Sequence, residues 1–130
     1  MGFSLVELII VIAIMAVMIG VLAPQYLKFT TNARVSTDLT NAQQIVQLVN
    51  AAIADEQGSA IPPTISGAGG TAVSGVQGLE MLPYCKVDKS YVWKIDTTTG
   101  MGVEKITLNS LPVYSRASQV SDYYDQYYVD

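Results

Sequence analysis

The chain has 130 residues, half of them hydrophobic and 14% charged, and a net charge of −4. Ordinary soluble domains carry about 25% charged residues, and seven scattered Lys and Arg give no footprint for nucleic acid. With no His and one Cys, Cys85, an intrachain disulfide, a hydrolase triad and the common zinc and iron sites lack their parts. Neither an enzyme nor a cofactor or metal is expected.

From Leu5 to Ala23 the residues are Leu, Val, Ile, Ala and Met, apart from Glu7 and Gly20. The length suits a bilayer core, which about 20 helical residues cross. A cleaved secretory signal fits poorly, because the basic n-region is missing, an acid interrupts the run and the run exceeds the usual apolar region. A plain membrane anchor fits by length but leaves Glu7 unexplained, since an unpaired carboxylate in hydrocarbon is costly.

The helical rhythm continues beyond Pro24. Val35, Leu39, Ala42, Val46, Val49 and Ile53 recur at spacings of four and three, widened by Ile45, Leu48 and Ala52, while Arg34, Asp38, Asn41, Gln44, Gln47 and Asn50 fall on or near the other side. One helix from Phe3 to Ala54, about 78 Å long, is predicted: apolar all round over 1–24 and amphipathic over 25–56. The second half has a face for its own domain. The first half must bury itself in lipid or in other copies.

The stretch Gly2-Phe3-Ser4-Leu5-Val6-Glu7-Leu8-Ile9 resembles the class III signal of type IV pilins, and Pro24 matches a proline found there in many pilins. The resemblance is strong over about the first 55 residues and covers the rest only in general layout. It implies cleavage after Gly2 by a prepilin peptidase, N-methylation of Phe3 as the new amino terminus, and assembly by the pilus machinery into a homopolymer. The precursor would lie in the cytoplasmic (inner) membrane and the filament would be extracellular.

Cleavage also supplies a partner for Glu7. The freed Phe3 amine is a cation, with an ordinary pKa of about 7.7–8.0, and the resemblance implies that Glu7 pairs with that amine on a neighbouring subunit. Buried ion pairs contribute little net stability but set registry, because any other stagger strands a charge. Gly20 and Pro24 weaken the helix between them. They predict either a simple kink or, as the resemblance implies, a segment that loses helical structure in the filament.

Residues 57–90 include a Gly-, Ser-, Ala- and Pro-rich stretch that reads as a variable connecting loop. Within 91–130, Tyr91, Trp93 and Ile95 alternate on one face. After the turn "TTTGMG", Glu104, Ile106 and Leu108 share one face, predicting a β-hairpin. A further strand around "LPVYS" is expected at an edge because of Pro112. The end of the chain suits a strand or a short helix, with Tyr123, Tyr124, Tyr127 and Tyr128 as surface-contact candidates and Asp122, Asp125 and Asp130 making it acidic.

The expected fold class is therefore α+β, a long N-terminal helix packed on a small antiparallel sheet. The expected function is a structural pilin subunit. The alternatives are a major pseudopilin of a secretion or competence system and a monomeric membrane-anchored binding domain.

Overall fold

The computed structural model describes residues 2–57, 61–98, 102–117 and 121–129. Helix α1 spans Leu5–Ala52, roughly 70 Å at 1.5 Å per residue, and closes in a π-helical turn over Ile53–Gln57. Its first turn is fixed by a capping box: Ser4 Oγ accepts from Glu7 N–H and Glu7 Oε2 accepts from Ser4 N–H, both at 3.3 Å. The helix runs unbroken through Pro24, although proline cannot donate to the Gly20 carbonyl.

Four strands follow: β1 (Thr64–Ala68), β2 (Val92–Thr98), β3 (Gly102–Leu108) and β4 (Leu111–Ser115). They form an antiparallel sheet in the order β1-β2-β3-β4, and a short helix α2 (Asp122–Tyr127) ends the fold. The α+β layout expected from the sequence is thus present. The hairpin of β2 and β3 and the edge position of β4 also stand as read, although residues 99–101 of the connecting turn lie outside the described residues.

Two details differ. The segment read wholly as loop contains β1, which pairs with β2 from Thr64↔Asp96 to Ala68↔Val92 and turns Ile65 into the core. In β3 the residue facing inward beside Ile106 and Leu108 is Val103, while Glu104 is exposed. The cause is a bulge: Asp96 faces Lys105 and Thr97 faces Val103, so Glu104 is the extra residue and the alternation slips by one. Glu104 Oε2 then accepts from Thr98 Oγ1 at 3.0 Å.

Asn109 and Ser110 join β3 to β4 with φ of 54° and 64°. Positive φ at both turn positions matches the right-handed twist of the strands, and asparagine tolerates it better than most residues. Between β1 and β2 the chain folds back on itself, with Gly70 N–H donating to Leu82 O, Leu82 N–H to Thr71 O and Val73 N–H to Glu80 O.

The core is the interface between α1 and the sheet. Val35, Ala42, Ile45, Val46, Val49 and Ala52 pack against a layer that includes Trp93, Ile95, Val103, Ile106 and Leu108. Trp93 is fully buried and its indole N–H reaches Pro83 O at 2.8 Å, which removes the penalty of burying that donor. None of this packing extends to the N-terminal half of α1.

Candidate functional site

The N-terminal half of α1 presents apolar side chains in every direction. From Leu5 to Leu22 the large apolar residues are between 50% and 74% exposed, and Tyr26, Leu27 and Phe29 extend the series. A typical monomer's largest apolar patch is about 300–600 Å², and a helix exposed all round for five turns goes well beyond that. This length and composition are compatible with membrane insertion.

Gly2 and Phe3 precede the helix outside any regular element, and Phe3 is 91% exposed. Glu7 is exposed on the first turn, and one carboxylate oxygen meets the Ser4 amide through the capping box. An ionised carboxylate has about four acceptor positions, so this single contact leaves Glu7 able to accept a cation. Gly20 and Pro24 lie together on the exposed, unpacked part of α1, and no Cβ at Gly20 would meet a neighbour.

At the other end of the chain, the expectation that Tyr123 lies on the surface is corrected. Tyr123 is fully buried, because α2 lies against α1 and its first turn points that ring inward. Tyr124 and Tyr127 are half-buried and Tyr128 is exposed. The rings pack in two groups: Tyr127 stands 4.8 Å from Tyr123 and 5.7 Å from Tyr91, while Tyr124 stacks on Tyr128 at 4.5 Å. Hydrogen bonding to Tyr127, with a smaller effect of burial, pushes the Tyr91 hydroxyl up to about 12. Asp130 lies outside the described residues.

Tyr123 ends on a residue the helical pattern had placed with the polar face. Asp38 is fully buried and takes hydrogen bonds from Tyr123 Oη (2.8 Å), Cys85 Sγ (3.2 Å), Lys86 N–H (2.7 Å) and Val87 N–H (3.3 Å). Cys85 Sγ also touches Tyr123 Oη at 3.2 Å. One carboxylate therefore joins α1, the loop before β2 and α2 through neutral donors, which is how a buried acid avoids its desolvation penalty. The ladder Val35, Asp38, Ala42, Ile45, Val49, Ala52 alternates threes and fours with Asp38 inside it, and that spacing was the available sequence signal.

Burial pushes the Tyr123 hydroxyl far above its ordinary value, with bonds to Cys85 and Asp38 acting in the same direction. The Cys85 thiol is also pushed up, chiefly by burial, so its thiolate is disfavoured and it serves as a donor rather than a nucleophile. Six residues before Asp38, Asn32 forms a second clasp. Its Nδ2 donates to Val129 O and its Oδ1 accepts from Val129 N–H, both at 2.7 Å.

Among the described residues, no group of three or more His, Cys, Asp or Glu comes together in a way that could hold a metal ion. No family model matches the chain, and no solved structure matches it.

Proposed function

We propose that this chain is a structural subunit of a filament resembling type IV pili, inserted in the membrane through the N-terminal half of α1 and then polymerised through it. The observation that carries the reading is the contrast within one continuous helix. The half beyond Asn32 is packed by its own sheet, whereas the half before it is not packed into the core formed by the described residues and carries a single carboxylate one turn from its start. Lipid and neighbouring copies of the same helix are the two environments that cover such a surface. In the second, Glu7 pairs with the Phe3 amine of the adjacent subunit once Met1 and Gly2 are removed, and the heads coat the outside.

Replacing Glu7 by Val tests this in cells. The variant is expected to enter the membrane fraction as the parent does and to yield no filaments in the sheared surface material. The parent filament is expected to begin at methylated Phe3 by intact mass. Filaments retained by Glu7→Val would refute the role of Glu7. A parent chain that never leaves the membrane fraction would favour a monomeric anchored domain.

A further inference from the structure

An open groove of about 580 Å³ lies between α1 and the loop that precedes β2, lined by Thr30, Arg34, Thr37, Lys86, Asp88 and Lys89 among others. Its volume falls within the range of ligand clefts. In an acidic chain with seven Lys and Arg, three of them line this one groove. Among the described residues none of the three makes an ion pair or hydrogen bond through its side chain. The one carboxylate in the lining, Asp88, is engaged locally: its Oδ1 accepts from Ser90 N–H at 2.8 Å and from Ser90 Oγ at 2.6 Å.

The position of the groove decides what it meets. The exposed apolar series on α1 ends at Phe29, and Arg34 stands roughly 7.5 Å further along the axis at 1.5 Å per residue. That is about one Debye length at physiological salt, and within reach of long basic side chains that extend towards an interface. Tyr26 at 70% exposure lies inside the end of that series, beside Lys28, at the level where aromatic rings with a polar tip settle. A bilayer around the apolar half would therefore hold its phosphates within reach of the groove's basic side chains.

We propose that this groove receives the phosphate groups of anionic phospholipids, holding the head against the membrane in one orientation before the subunit is extracted. The inference rests on the reading that the apolar half of α1 sits in a bilayer. Arg34, Lys86 and Lys89 supply the charge, and the Thr30 and Thr37 side chains edge the groove on the helix side. A basic residue at an anionic surface is worth roughly five-fold in binding. With Asp88 subtracted, the net of two charges gives about thirty-fold preference for an anionic over a zwitterionic lipid at low salt.

The test uses the full chain in nanodiscs containing equal amounts of phosphatidylglycerol and phosphatidylcholine, with retained lipids counted by native mass spectrometry. Phosphatidylglycerol is expected to be retained preferentially, by an amount that falls with added salt. The triple variant Arg34→Gln, Lys86→Gln, Lys89→Gln should abolish the preference, while Lys94→Gln with Lys105→Gln on the sheet should keep it. A preference unchanged in the triple variant overturns the proposal. So does loss of self-association without loss of lipid preference, which would assign the groove to a second copy. Inorganic phosphate that saturates the Lys86 and Asp88 amide shifts in pure phosphatidylcholine would assign the groove to a free anion instead. Flotation with vesicles separates the two levels: a chain that floats but shows no preference refutes the groove alone, and one that does not float refutes the membrane reading as well.

Discussion

Replacing Asp38 by Ala should be among the most damaging single changes to the head. The substitution removes the acceptor for Tyr123 Oη, Cys85 Sγ and the amides of Lys86 and Val87. Each buried donor left without a partner costs about 1–3 kcal/mol, but the four do not count equally. The two amides sit in a part-buried segment that water can reach, and the thiol and hydroxyl, 3.2 Å apart, can still bond to each other. The net loss is therefore about 3 kcal/mol, a large share of a stability of about 5–15 kcal/mol. For a domain of this size it lowers the melting temperature by on the order of 10–20 °C.

Asp38→Asn should lose only about 1 kcal/mol, because its carbonyl still accepts and the Tyr123 hydroxyl can rotate to accept from the new amide. Thermal unfolding of the full chain in detergent, followed by circular dichroism, gives both values. A double-mutant cycle with Tyr123→Phe should show a coupling of about 1 kcal/mol or more. An Asp38→Ala variant within about 0.5 kcal/mol of the parent, or strict additivity with Tyr123→Phe, would refute the argument that this carboxylate joins the three elements.

Alkaline pH should weaken the head. The pKa values of Tyr123 and Cys85 are raised in the fold, so the unfolded chain releases their protons first; their contribution is complete below about pH 8.5 and declines above it, steepening beyond about pH 10. Tyr91, pushed up to about 12, acts in the same sense as pH rises from about 10 towards that value. Unfolding curves across this range should fall less steeply for Tyr123→Phe, and equal slopes would contradict the assignment. Gly102→Ala should cost about 1–3 kcal/mol, because φ is +100° and a Cβ there would strike Asn50 Oδ1, the acceptor for Val103 N–H at 2.8 Å; a neutral result by thermal unfolding would mean that Asn50 can swing away without loss. In filaments, hydrogen exchange of the amides between Gly20 and Gln25 should be fast, and slower in the Gly20→Ala, Pro24→Ala double variant. Protection in the parent equal to that of neighbouring turns would rule out local melting.

The hairpin was legible in the sequence because Trp93, Ile95, Ile106 and Leu108 alternate and all four are buried. Strand β1 was not, because it contributes one buried side chain, Ile65, within a segment whose Gly and Pro content reads as loop; its strand character comes from pairing with β2, a non-local event. The slip at Glu104 has the same origin, since a bulge is a property of two strands in register. The helix wheel gave the face that meets the sheet but misassigned Asp38. A carboxylate beside an apolar stripe is normally solvated, and only the meeting of Cys85, Lys86, Val87 and Tyr123 around it makes burial affordable. The same limit applied to Tyr123, whose burial is set by that meeting. The unpacked N-terminal half was fully legible, because it depends on local composition alone.

The clasps at Asn32 and Asp38 have a mechanical consequence. They lie six residues apart on α1, roughly 9 Å along the axis, and both fasten the C-terminal segment alongside the helix. A load applied along α1 would act on these bonds in parallel and in shear, with the sheet anchored above them. Below Asn32 the helix has no core packing against the other described residues, and it contains Gly20 and the bond missing at Pro24. Under tension the shaft would lengthen there while the head keeps its shape, so the protein divides into a compliant element and a rigid one at Asn32.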